Sequence, residues 1–352
     1  MAVKPVPGAV DAQAFYAGLD RFNVRPLWRQ PGLLPDEPQS KASPHVWRYQ
    51  ELREQLLRAG AVIDAEEAER RVLMLVNPGL DGLAAATANL YAGLQLVLPG
   101  EVAPAHRHAA SALRFVIEGS GAYTAVNGER QIMEPGDLVL TPNWAWHDHG
   151  NESDGPMIWL DGLDLPMINS LEANFFDRSS ESSQELTRPD NASRHLYTGR
   201  LSPTWETWSE PYSPVFGYPW AETERALDDL AATGVGSATD GVLLEYINPR
   251  TGGPVLPTLG CRIQSLSPGR HTAAHRHTAS AVYHVVRGRG ASVVGGETLE
   301  WRQHDTFAVP GWAVHEHVNG SDDDVAVLFS FTDEPVLRAL GYLREETAER
   351  QT

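Results

Sequence analysis

Two histidines separated by a single residue, His106 and His108 in the stretch APAHRHAASALRF, form the first pair in the chain whose spacing could do chemistry. In an extended strand, side chains two positions apart leave the same face, so both imidazoles can aim into one interior and offer two nitrogen ligands on one rigid element. A third ligand must come from elsewhere. His147 and His149, again two apart and following a turn at Pro142, are the candidates. One of them suffices as a ligand; the other would face the same cavity and serve beside the ligands or in proton transfer. A lone histidine in a β-protein is more often a hydrogen-bonded polar residue or a surface position, so one H-x-H does not decide for a metal. The repetition does. His275 and His277 stand in AAHRHTASAVYHV, 169 residues on, and His315 and His317 follow them as His147 and His149 follow the first pair. Imidazole suits Fe(II), Zn, Ni and Cu alike, so the donors alone do not choose the metal.

The elements that must position these residues are short strands. From about Val72 the chain runs LVNPG, LYAGLQLVLPGE, LRFVIEGSGAYTAVNGE, RQIMEPGDLVLTP and PMIWLDGLD, apolar or alternating runs punctuated by Gly and Pro. The same texture returns in GCRIQSLSPGR, SAVYHVVRGRGASVV, ETLEWRQHDTFAVPG and DVAVLFSFTD. GDLVLTPNWAWHDHGN lies over HDTFAVPGWAVHEHVN, so the chain carries two copies of one β-module, each about 90 residues long. Before the first copy, WRYQELREQLLRA (47 to 59) has helical periodicity, and Asp64 opens a second helix, DAEEAERR. A further helix, AETERALDDLAA, is expected between the copies. The resulting division is a helical and irregular region (1–75), a first β-module (76–165), a linker with a helix (166–245), a second β-module (246–335) and a C-terminal helix (336–352).

These motifs resemble those of the cupin superfamily, whose first motif is G-x5-H-x-H-x3,4-E-x6-G and whose second is G-x5-P-x4-H-x3-N, on a small β-barrel. Gly100, His106, His108 and Gly119 stand in the first; Gly136, Pro142, His147 and Asn151 complete the second. The glutamate of the first motif is absent: Ala112 and Leu113 occupy its candidate positions, and Ala281 and Val282 do so in the second copy. The resemblance therefore implies a mainly β bicupin, two double-stranded β-helix barrels, with a three-histidine, zero-carboxylate metal site at His106, His108 and His147. Three neutral imidazoles leave a divalent ion its full charge and open positions, which suits a chelating dianion such as a salicylate-type carboxylate with an adjacent phenolate.

More specifically, the run from PGEVAPAHRH to PNWAWHDHGNES with IWLDGLDLP, together with RPLWR, YAGLQ and AERRVLMLVNPG, is similar to the gentisate 1,2-dioxygenase family, whose relatives cleave salicylate or 1-hydroxy-2-naphthoate. The resemblance implies an Fe(II) enzyme that opens gentisate with O2 to give maleylpyruvate, and a homotetramer. It places Arg114 in the pocket, where its forked donors would hold the substrate carboxylate. Gln95 and Tyr91, on one strand face with Gly93, would contact the substrate ring or its oxygens, although both could simply end a core strand. His149 would be the acid/base near a ring hydroxyl, with Asp161 fixing its tautomer or capping the following turn. Arg70 or Arg71 would bring a further cation over the pocket; paired basic residues on an amphipathic helix are otherwise solvated. Trp144 and Trp146 are expected to pack.

The second copy keeps His275, His277 and His315, so by ligand count it too could bind metal, but Tyr283 stands where Arg114 stands and His304 replaces Gly136. No matching catalysis is expected there. The alternatives are a Mn-dependent oxalate decarboxylase-like bicupin, which would need the missing glutamates, and a non-catalytic ligand-binding bicupin. Composition bounds the rest. A net charge of −18 disfavours nucleic acid and acidic membrane surfaces as partners. One cysteine, Cys261, excludes an internal disulfide and fits a reducing compartment. The N-terminal stretch has no long apolar run, so neither a secretory signal nor an anchor is expected, and the cytoplasm is the default.

Overall fold

The computed structural model describes residues 11–197 and 201–348, with the side chains of Ala65 and Glu66 left aside. Residues up to Gln39 make one unit and Ser40 onward another. In the first, Asp11 caps the helix Ala12–Leu19 by accepting the Gln13 amide, and Trp28 Nε1 donates to Tyr16 Oη at 3.1 Å.

The second unit is built from four antiparallel sheets, two for each β-module. In the first module the strands Tyr91–Val97, Ala112–Glu118, Leu138–Thr141 and Met157–Leu163 form the centre of a six-stranded sheet, while Val102–His108, Ala122–Val126, Glu129–Met133 and His147–Asn151 lie in a facing five-stranded one. The second module repeats both sheets. Along Ala112–Glu118 the side chains divide by parity. Leu113, Phe115 and Ile117 enter a large core, whereas Val116 joins Trp159, Val139 and Met157 in the interior of the first barrel. The large core also takes Cys261, Ile263, Val282, Phe329 and Phe331 of the second module, so the two six-stranded sheets pack back to back. Phe115 stacks on Phe329 with ring centroids 4.2 Å apart. A Cβ on Gly162 would come within 2.8 Å of the Phe331 ring, which is why this strand carries glycine at the interface.

The repeat is longer than the matching histidine motifs suggest. The strand His45–Trp47 and helix Tyr49–Val62 precede the first module as Gly217–Tyr218 and Trp220–Ala232 precede the second. Each strand pairs with the other module: His45–Trp47 lies along Thr306–Val309, and Gly217–Tyr218 along Leu138–Thr141. Each helix then starts on an aspartate of that same other module. Tyr49 N donates to Asp305 Oδ1 at 2.9 Å, and Trp220 N to Asp137 Oδ1 at 2.7 Å.

Three expectations need correction. The helix expected to open at Asp64 lasts only from Ala65 to Ala68, because Glu69 takes a positive φ and Arg71–Met74 becomes a strand on the edge of Tyr91–Val97. Arg70 and Arg71 are therefore not on an amphipathic helix. Beyond the second module, where a helix was expected through to the end, the helix Glu334–Ala339 stops and Glu345–Thr347 pairs with His275–His277; residues 349–352 lie outside the described ones. No helix among the described residues is long and apolar enough to cross a membrane.

Candidate active site

His106 and His108 end the strand Val102–His108, and His147 opens the strand His147–Asn151, paired directly with His106. A register shift between Ala103 and His106 turns this end of the strand so that both histidines are buried. The three offer one ligand atom each, all within 4.8 Å of one another. Their tautomers are set alike: Nδ1 of His106 meets Pro104 O at 2.7 Å, Nδ1 of His108 meets Ala110 O at 2.7 Å, and Nδ1 of His147 meets Ala145 O at 2.9 Å. A carbonyl can only accept, so each Nδ1 carries the proton and each Nε2 keeps a lone pair. His147 Nε2 is buried with no partner, and His106 Nε2 receives Arg70 Nη1 at 2.8 Å. Burial, reinforced by Arg70, pulls the His106 pKa down to about 3, and burial takes His108 to about 4 and His147 well below its usual range. Three neutral imidazoles with converging lone pairs, one of them orphaned, fit a divalent metal ion.

The facing sheet supplies the remaining groups. Gly93, Asp161 and Arg114 form one row across three strands, and Gln95 lies opposite Trp159 in the next. Arg114 is fully enclosed; its Nη1 donates to Thr141 Oγ1 at 2.9 Å and its Nε lies 3.4 Å from Asp161 Oδ1. Burial lowers its pKa only to about 10, so it stays a cation at neutral pH. Asp161 also accepts Trp159 Nε1 at 3.0 Å. Its polar contacts are thus with Arg114 and Trp159, not with His149, the partner expected from the sequence. His149 Nδ1 instead meets Thr124 Oγ1 at 2.9 Å, leaving Nε2 buried and free.

Tyr91 Oη fills the space above Gly93, where a Cβ would sit 2.7 Å from it; burial and the charge of Asp161 keep the phenol protonated. Gln95 Nε2 is buried without a partner, as is appropriate for a donor that meets a ligand. Arg70 reaches His106 from the loop before Arg71–Met74, with Phe176 beneath its guanidinium at 5.3 Å and stacked on His106 at 5.4 Å. A cavity of about 120 Å3 lined by Arg70, His106, Phe176 and Arg178 opens beside the triad. Arg71 is spent elsewhere, in a buried ion pair with Glu101 at 2.9 Å. Trp144 and Trp146 pack on Arg107, not on the barrel core. Thr124, Thr141, Trp159 and Phe176 escaped the sequence reading. Only Thr124 left a trace there, since Ser292 takes its place in the second copy and meets His317 Nδ1 at 2.8 Å.

In the second module His275, His277 and His315 again come within 4.8 Å of one another. The row Gly93, Asp161, Arg114 is replaced by Arg262, Ser330, Tyr283, so the whole row differs, not the arginine alone.

Fold and site together define a bicupin whose first barrel carries an all-histidine triad that fits a metal ion. Residues 93–163 and 262–331 both match the cupin domain family. The chain is 44% identical to a gentisate 1,2 dioxygenase of Aquipseudomonas alcaligenes over 95% of its length and 96% of that protein's. It is also 44% identical to a 5-aminosalicylate 1,2-dioxygenase of Comamonas sp., over 96% of this chain and 90% of the other. A crystal structure of a salicylate 1,2-dioxygenase from Pseudoaminobacter salicylatoxidans, with gentisate adducts, superposes with a TM-score of 0.90 at 36% identity, covering 99% of this chain and 97% of that one. The chain belongs to the gentisate 1,2-dioxygenase family of ring-cleaving dioxygenases.

Proposed function

We propose that this chain is an Fe(II)-dependent gentisate 1,2-dioxygenase, converting gentisate and O2 to maleylpyruvate by breaking the ring bond between the carboxyl-bearing and the adjacent hydroxyl-bearing carbon. The observation that carries this reading is the pairing of a carboxylate-free histidine triad with an enclosed, cationic Arg114. His106, His108 and His147 would hold the iron, which supplies electron exchange between an electron-rich ring and dioxygen. The chain's own groups do the rest. Arg114, splayed between Thr141 and Asp161, turns its remaining donors to the substrate carboxylate. Arg70 adds a second cation at the triad, and the two arginines outweigh Asp161, so the cavity attracts a dianion although the chain as a whole is at −18. Gln95 and Tyr91 meet the ring or its oxygens as hydrogen-bond donors. His149, oriented by Thr124, presents Nε2 as the acceptor or donor for a ring hydroxyl proton. Asp161 acts through Arg114.

Salicylate and 1-hydroxy-2-naphthoate share the carboxylate and ortho hydroxyl and are the runner-up substrates. A cytoplasmic homotetramer is the expected form, supported by the family resemblance and by the lone cysteine; light scattering of the purified protein tests the assembly.

Anaerobic loading with Fe(II), followed by gentisate and oxygen, tests the activity through oxygen uptake and the ultraviolet absorbance of the ring-opened product. His106→Ala and His147→Ala are expected to lose first-site iron and turnover together, whereas Arg114→Ala keeps its iron and loses about 100-fold or more in kcat/KM, mostly through KM. First-site iron retained after loss of His106 would sink the ligand assignment, and absence of oxygen uptake with all three hydroxy acids would sink the activity.

A further inference from the structure

The second triad differs from the first in one respect that the repeat itself reveals. The segment just before the edge strand of each module reaches its histidines: Arg70, before Arg71–Met74, meets His106 Nε2 at 2.8 Å, while Asp240, before Val242–Glu245, places Oδ1 3.9 Å from His275 Nε2. A cation at one site is thus replaced by a carboxylate at the other. Asp240 is held for this position. Its Oδ2 accepts Ser237 Oγ at 2.9 Å and Thr239 Oγ1 at 2.6 Å, which leaves Oδ1 as the oxygen turned to the histidine. The loop is closed by two backbone bonds between Ser237 and Gly241 and fastened to the histidine segment by Ala273 N to Ala238 O at 2.8 Å and by Gln264 Nε2 to Asp240 O at 2.7 Å. Nδ1 of His277 and of His315 is tied to a backbone carbonyl, as in the first site, and His315 Nε2 is buried without a partner.

We infer that the second barrel holds a divalent transition-metal ion with four protein ligands, His275, His277, His315 and Asp240, as a closed site that does not admit the aromatic acid. Ligand atoms that share an ion at about 2.0–2.2 Å lie roughly 3.0–3.5 Å apart; Asp240 Oδ1 stands 3.9 Å from His275 Nε2 but outside the 4.8 Å set that the three histidines form, so ligation requires the carboxylate to swing toward His277 and His315. The carboxylate removes one charge from the ion and takes a position that the first site leaves open. Arg262 is committed to Glu334 at 2.6 Å, and Asp240 brings a carboxylate to the place where Arg70 brings a cation in the first site. A carboxylate in place of that cation disfavours a hydroxybenzoate dianion and favours retention of a metal cation.

Cobalt(II) titration of the metal-free full-length chain, read by its visible d–d bands and by metal analysis, tests this site. His147→Ala, which disables the first site, is expected to bind one cobalt per chain. Adding Asp240→Asn is expected to weaken that uptake about 10- to 100-fold, and adding His315→Ala to abolish it. No uptake by natively folded His147→Ala overturns the second site, and unchanged affinity after Asp240→Asn overturns the role of Asp240. Asp240→Asn in the otherwise unaltered chain should still bind cobalt at the first site, which serves as the folding control. If that control fails, Ser237→Ala with Thr239→Val, which releases Oδ2, must weaken uptake measurably, and unchanged uptake overturns the proposal. Failure of the first-site reading has a separate signature: single His315→Ala that binds no metal at all.

Discussion

Asp161 and Arg114 form a charged pair beside the triad, and burial acts on both members. It lowers Arg114 to about 10 and raises Asp161 to about 6, with Arg114 working against the second shift. At neutral pH both are therefore charged. The linkage sign follows from the carboxyl: between its unfolded value near 4 and about 6 the folded chain keeps a proton that the unfolded chain has lost. Stability associated with Asp161 is fully present below pH 4 and is lost as pH rises through 6. Relative to Asp161→Asn, the metal-free wild-type chain is expected to lose on the order of 2 kcal/mol between pH 4.5 and 7. Urea denaturation of both proteins at the two pH values measures this, and parallel pH dependences would show that the group is not strained by its burial. The cost falls on the carboxylate that holds Arg114, the proposed anchor of the substrate carboxylate.

At the scale of elements, the exchanged strands and helices set where each barrel ends. Asp305 accepts three donors, Tyr49 N, Arg302 N and Arg48 Nη1, and so joins the start of the helix Tyr49–Val62 to the turn before Thr306–Val309. Asp305→Ala leaves the Tyr49 amide and the Arg48 guanidinium without this acceptor, and a cost of about 1–2 kcal/mol is expected from chemical denaturation. Asp305→Asn, which keeps an acceptor but not the charge, should cost less; equal losses would mean that the helix start is not what the residue secures. The pairing of Asp305 with Asp137 was visible in the sequence as part of the repeat, but its purpose was not. The sequence also carried the four histidines of each module, the absent glutamate, the arginine that only the first copy keeps and the bicupin architecture, because each leaves a residue type at a fixed spacing. Groups that act by crossing between strands, such as Thr124 on His149, Thr141 on Arg114 and Trp159 on Asp161, leave no such spacing, because register is a property of the folded sheet. For the same reason the sequence suggests His149 or the following turn as the partner of Asp161, whose neighbour across the strands is Arg114.

For the whole molecule, the question is what a barrel with Tyr283 in the place of Arg114 contributes. The strand Ala112–Glu118 answers in part: Arg114 faces the site, and the next residue, Phe115, is buried in the core shared by the two modules, stacked on Phe329. The second module is thus the back wall against which the strand that carries Arg114 is set. Phe329→Ala removes a fully buried ring from that wall and is expected to cost about 3–5 kcal/mol. Since Phe115 and Phe329 share one core, the two modules should open together, and hydrogen exchange followed by mass spectrometry should report similar loss of protection in Ala112–Glu118 and Ala326–Thr332. Substrate binding should weaken in the same variant with first-site metal retained, because the strand that carries Arg114 has lost its support. If Ala326–Thr332 alone became exchangeable while Ala112–Glu118 stayed protected, the barrels would be independent units, and the second would owe its presence to its own metal site and not to the first.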